Sequence, residues 1–166
     1  MDHILLRCRT GVCEQAWSLA DNVWARRSTT VIPKTLGTIL GCTLATFTTN
    51  GRTDKGKGRL FRILVSETAY LVWRLRNERR IQQEDRLAQS ESEVRNRWTY
   101  AINKRLTLDR MLTNAARFKS AAVKDKLVKA TWTNCLKDEE DLPPNWPSAR
   151  GVLVGILAAR PPGRAG

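Results

Sequence analysis

Leu60-Phe61-Arg62-Ile63-Leu64-Val65-Ser66-Glu67-Thr68-Ala69-Tyr70-Leu71-Val72-Trp73-Arg74-Leu75-Arg76-Asn77-Glu78-Arg79-Arg80 decides the fold class. Its apolar residues do not alternate. Leu60, Phe61, Leu64, Thr68, Leu71, Val72 and Leu75 recur at helical steps and form one stripe of an amphipathic helix. The pattern predicts a helix over 60–86. Arg74, Arg76, Arg79 and Arg80 make its second half basic, and cations near the C-terminal end suit the helix dipole. Glu67 falls in the apolar half, either on the outer face or buried and paired.

Upstream, Asn50-Gly51 starts a loop that Gly56 and Gly58, interleaved with Lys55, Lys57 and Arg59, extend to about residue 58. Its glycines lack the GxxxxGK[ST] spacing of a phosphate loop, so a plain surface loop is expected. Residues 35–47 read as a helix, with Leu36, Ile39, Leu40, Leu44 and Phe47 in phase; the Thr and β-branched content leaves strand as a minority reading. Residues 14–27 read as another helix, with Trp17, Ala20 and Trp24 on one side and Pro33 beyond its end.

Downstream, Ser90 and Glu93 form a capping box that opens a helix. Val94, Trp98, Ala101, Arg105, Leu108 and Leu112 then make a heptad-like seam carrying one Arg. Residues 120–136 read as the last long helix, with Val123, Leu127, Ala130 and Thr131 on one face. Asp138-Glu139-Glu140-Asp141 turns the chain acidic, and Pro143, Pro144 and Pro147 bar further helix. Trp146 is expected to dock on the bundle, 151–156 to be extended, and 160–166 to be a disordered tail. The fold expected is all-α: an irregular bundle of about five helices with a short extended C-terminal segment. The segments expected are a truncated zinc-knuckle-like N-terminus (1–13), a basic helical domain (14–147), and an extended segment with a flexible tail (148–166).

The chain has 166 residues, 42% apolar and 27% charged, which suits one domain with a real core and argues against wholesale disorder. It is too short for a polymerase or a helicase. No apolar run reaches membrane-spanning length, so no membrane partner is expected. No signal peptide is visible, and four unevenly spaced Cys do not suggest a disulfide scaffold; an intracellular location, nuclear or cytoplasmic, is expected. The 29 Lys and Arg outweigh 16 Asp and Glu for a net charge of +13. Residues 51–137 hold 21 of these cations and nine of the acids, so +12 lies there. A block of that sign favours a polyanionic partner, RNA or DNA first, against the plainer reading of solvated helix faces.

Catalytic chemistry finds little support. The single His, His3, lies in no nucleophile context, and GxSxG is absent. The acids 138–141 are contiguous and cannot converge on a metal pair. Cys42 and Cys135 fall on apolar helix faces and are expected in the core. His3 and Cys8 have the spacing of the second half of a zinc knuckle, with Cys13 a third candidate, but the first Cys pair is missing. No cofactor is therefore expected, zinc being possible only if the missing ligands are supplied. For phosphate contacts the candidates are Arg74, Arg76, Arg79, Arg80, Arg95, Arg97, Lys104 and Arg105. Trp73 and Trp98 lie among them and could stack on bases, with core packing expected for both.

Several phrases point to one lineage. They include Asp2-His3-Ile4-Leu5-Leu6-Arg7-Cys8, Gln15-Ala16-Trp17-Ser18-Leu19-Ala20 and Gly37-Thr38-Ile39-Leu40-Gly41-Cys42. Leu60-Phe61-Arg62-Ile63-Leu64-Val65-Ser66-Glu67, Val72-Trp73-Arg74-Leu75-Arg76-Asn77-Glu78-Arg79, Leu136-Lys137-Asp138-Glu139-Glu140-Asp141-Leu142-Pro143 and Gly151-Val152-Leu153-Val154-Gly155-Ile156 continue it. Over about residues 2–156 the chain resembles the C-terminal region of reverse-transcriptase polyproteins of fungal (basidiomycete) non-LTR-like retroelements. There the region follows the reverse transcriptase and ribonuclease H-like parts. The resemblance implies that His3 and Cys8 match the family's metal ligands. The polymerase aspartates and ribonuclease H carboxylates have no counterpart here, so no enzyme activity is expected of this chain. The function expected is a retroelement-derived, non-catalytic nucleic-acid-binding module. The alternatives are a helical interaction module self-associating through the 94–112 seam, a decayed remnant without function, and, more weakly, part of a ribonuclease H or reverse transcriptase enzyme.

Overall fold

A computed structural model describes residues 5–6, 11–81 and 89–156. The described residues hold six helices and one two-stranded hairpin: α1 (Val12–Trp24), α2 (Leu36–Gly41), β1 (Thr48–Thr49), β2 (Arg52–Thr53), α3 (Lys55–Ile81), α4 (Glu91–Met111), α5 (Ala115–Phe118) and α6 (Asp125–Trp132). The fold is all-α. Helix α3 is central and packs against α1, α4 and α6. The stripe from Leu60 to Leu75 is buried throughout, as its periodicity requires. Trp17, Trp24, Trp98 and Trp132 are fully buried and bring α1, α4 and α6 onto it. Trp24 packs edge-on to Phe47 and Phe61, each at 5.2 Å between ring centroids.

Four expectations need correction. The helix expected over 35–47 ends at Gly41, and Leu40 and Leu44 are 71% and 82% exposed. Thr43, Thr46, Thr48 and Thr49 follow, a composition that favours extended chain over helix. Asn50-Gly51 does not open a long loop. It is the two-residue tip of the β1–β2 hairpin, both residues at positive φ (51° and 73°), the geometry of a type I′ turn.

The glycine-rich segment expected as loop is the first turn of α3. Asp54 caps it, its Oδ1 accepting from the Lys57 amide at 2.8 Å. Gly56 is buried there because α6 lies on it: a Cβ would run into the Ala130 backbone. The helix expected over 120–136 begins only at Asp125, after a 3-10 turn at Lys119–Ala121.

The α4 stripe is also shifted. Ser90 caps the helix, its hydroxyl accepting from the Glu93 amide at 3.2 Å. The buried residues are Val94, Trp98, Ile102, Leu106 and Asp109, a run of mostly four-residue steps. The expected seam through Ala101, Arg105 and Leu108 lies on the helix flank. Val94 and Trp98 are packed inside and offer no surface to a second copy.

The C-terminal segment is extended, as expected. Val154 bridges Leu136, and the Lys137 amide donates to the Leu153 carbonyl at 2.9 Å. Trp146 is docked and buried. The tail expected over 160–166 lies outside the described residues. Among the described residues, no helix is long and apolar enough to cross a membrane.

Candidate nucleic-acid interface

Helices α3 and α4 run antiparallel, because partners on α4 descend as those on α3 ascend. Arg59 meets Asp109, Thr68 accepts from Trp98 Nε1 at 2.9 Å, and Glu78 meets Arg97. Beside this contact the two helices leave a groove of about 930 Å³. Glu67, Tyr70, Leu71 and Arg74 line it from α3; Arg97, Tyr100, Ala101, Lys104, Leu108 and Met111 line it from α4, with Arg105 at its base. These steps of three and four residues are neighbours on a helix surface.

Four of the eight predicted cations therefore come together: Arg74, Arg97, Lys104 and Arg105. Arg76 and Arg95 do not join them. Each is two positions from a groove cation, about 200° around its helix. Arg79 and Arg80 are exposed on the last turn of α3, beyond the groove. His3 and Cys8 lie outside the described residues. Cys13, the third candidate zinc ligand, is buried instead, its thiol donating to the Leu5 carbonyl at 2.9 Å. No cluster of three or more His, Cys, Asp and Glu suited to a metal occurs among the described residues. Burial pushes the Cys135 thiol up to about 12, which suits an inert core residue.

Two of the groove cations are held by acids. Arg74 pairs with Glu78 at 3.2 Å. Arg97 spans Glu78 and Glu93, the latter at 3.1 Å. The Arg97 hydrogen bond, with help from Arg74, holds the Glu78 carboxyl below its ordinary 4.5. Glu67 behaves oppositely: burial raises its pKa against the pull of Arg105 and Lys104. It makes no hydrogen bond among the described residues.

Behind the groove lies a group the sequence reading missed. Asp109 is fully buried and accepts both guanidinium nitrogens of Arg59, with Nη2 at 2.8 Å, and Trp132 Nε1 at 2.9 Å. Arg105 Nε stands 3.8 Å away, buried and without a hydrogen-bond partner. One carboxylate thus ties α3, α4 and α6 and sits beneath a groove cation. The available signal was its place three residues after Leu106, in phase with Val94, Trp98 and Ile102.

The aromatics divide. Trp98 is core, as expected. Trp73 is not: it is 47% exposed and stacks on Tyr70 at 5.9 Å with 24° between planes. Its place on the flank of the buried α3 stripe turns it outward.

No protein-family model matches the chain, no curated protein matches it significantly, and no solved structure matches its fold significantly.

Proposed function

We propose that this chain is a non-catalytic nucleic-acid-binding module of retroelement origin, holding RNA or DNA by its phosphates. One observation carries the reading: in the basic block the acids turn inward and the cations outward. Of the seven described acids between 51 and 137, only Glu91 and Asp125 are exposed. Asp54, Glu78, Glu93 and Asp109 are spent on ion pairs. Arg52, Lys55, Arg62, Arg74, Arg79, Arg80, Lys104, Lys124 and Lys126 are all exposed. A surface of that kind releases condensed counterions when it meets a polyanion.

The test is a salt titration of binding to single-stranded RNA, duplex DNA and an RNA–DNA hybrid, by fluorescence anisotropy. Micromolar binding that falls steeply with salt is expected. Reversing Arg79 and Arg80 to Glu should weaken it and flatten the slope by about 0.7 to 0.9 for each phosphate no longer neutralised. No binding to any of the three at low salt would refute the reading.

A further inference from the structure

Phosphate binding alone does not explain why the groove is edged with exposed aromatic rings. The protein buries five of its six tryptophans, yet Tyr70 is 56% and Tyr100 69% exposed. Both line the groove from opposite helices, and Trp73, beside the groove, stacks on Tyr70 and steadies that ring. Exposed rings flanked by cations accept unpaired bases, because every base offers a π-face.

The register of the cations matches. Arg74 follows Tyr70 by four residues and Lys104 follows Tyr100 by four, so each ring has a cation one turn away on the same face. Because the helices are antiparallel, the two rings stand roughly level and the two cations lie at opposite ends. Taking about 1.5 Å per residue over the two four-residue steps, the cations are about 12 Å apart along the groove, so they meet separate phosphates of one strand. Glu67 lies between them as the groove's only lining carboxylate among the described residues. It lies close enough to Arg105 and Lys104 to feel their charges, and its oxygens can accept from the N–H donors on a base edge.

We propose that the groove between α3 and α4 takes an unpaired nucleic-acid strand, with bases stacked on Tyr70 and Tyr100 and phosphates held by Arg74 and Lys104. This rests on the nucleic-acid reading above and adds to it a preference for single strands over duplex, whose bases are already stacked.

The experiment measures the affinity of the full chain for a 12-nucleotide RNA and for the same sequence as a duplex. The variants are Tyr100→Ala, Tyr70→Ala and Tyr100→Phe. Both tyrosines are exposed, so the alanine variants should fold, with circular dichroism as the check. Single-strand binding should weaken about tenfold in each alanine variant, as a base loses its stacking partner, and return in Tyr100→Phe. The single-strand preference should shrink with it. Equal binding of single strand and duplex, insensitive to both alanine variants, overturns the groove assignment while leaving the phosphate-binding reading standing. No binding of any nucleic acid removes both. A dimer in sedimentation that Tyr100→Ala disperses would also overturn it, assigning the groove to a second copy of the chain.

Discussion

Asp109 shows how much one side chain can carry. It is a charge with no exposed surface, compensated by Arg59, Trp132 and the nearby Arg105. Removing one member of such a pair leaves the other charge buried and unpaired. Asp109→Ala is therefore expected to lower stability by about 3–5 kcal/mol in urea unfolding; a loss under about 1 kcal/mol would show that Arg59 finds water or another partner. Glu67 is the converse case. Its pKa in the folded protein is raised, so its protonated form is favoured by folding. That contribution is complete below the ordinary 4.5 and is lost as pH rises through the folded value. Glu67→Gln should therefore raise the melting temperature at pH 7, with the gain fading as pH falls through the raised folded pKa and gone below the ordinary 4.5. A gain that persists unchanged at pH 3 would mean that desolvation of the carboxylate is not the cause.

At the scale of elements, the start of α3 depends on a cap and a close approach. Lys55-Gly56-Lys57-Gly58 reads as loop because glycine costs about 1 kcal/mol in a helix interior. The Asp54 cap and the α6 backbone reverse that preference. Burial acts on Asp54 upward, but the Lys57 amide, the Thr49 hydroxyl and the Arg27 and Lys57 charges bring its pKa below the ordinary value. Gly56→Ala, which raises helix propensity, should nonetheless destabilise the protein by about 1–3 kcal/mol, because the Cβ meets the Ala130 backbone and not a movable side chain. Thermal unfolding of that variant separates the two effects by sign. The periodicity of α3 and the Ser90 cap of α4 were legible for a simpler reason: both are interactions within one helix. The end of α2 was not legible, since Leu40 and Leu44 fit the helical pattern and are nevertheless left outside the core.

For the whole molecule, the C-terminal segment closes the fold. Val152 and Val154 are buried, Asn103 Oδ1 accepts from the Val154 amide at 2.7 Å, and the Gly155 amide donates to the Cys135 carbonyl at 2.8 Å. Deleting residues 151–166 should cost about 3 kcal/mol or more, at about 1.5 kcal/mol or more per buried Val, and lower the urea midpoint accordingly. An unchanged midpoint would detach this segment from the core.

The charge follows the same division of scales. Its sign and its concentration between 51 and 137 are properties of the chain, as are the helical period of 60–75 and the cap at Ser90, because each depends on residues a few positions apart. Which four of eight cations share a groove, which acid is buried beneath them, and which tryptophan faces water depended on the antiparallel packing of α3 and α4 and the seating of α6. Those relations join residues as far apart as Arg59 and Asp109, and no local period records them. Burial on a helix face is decided by what packs against it, so only the tertiary structure could separate the ring that fills the core from the ring that edges the groove.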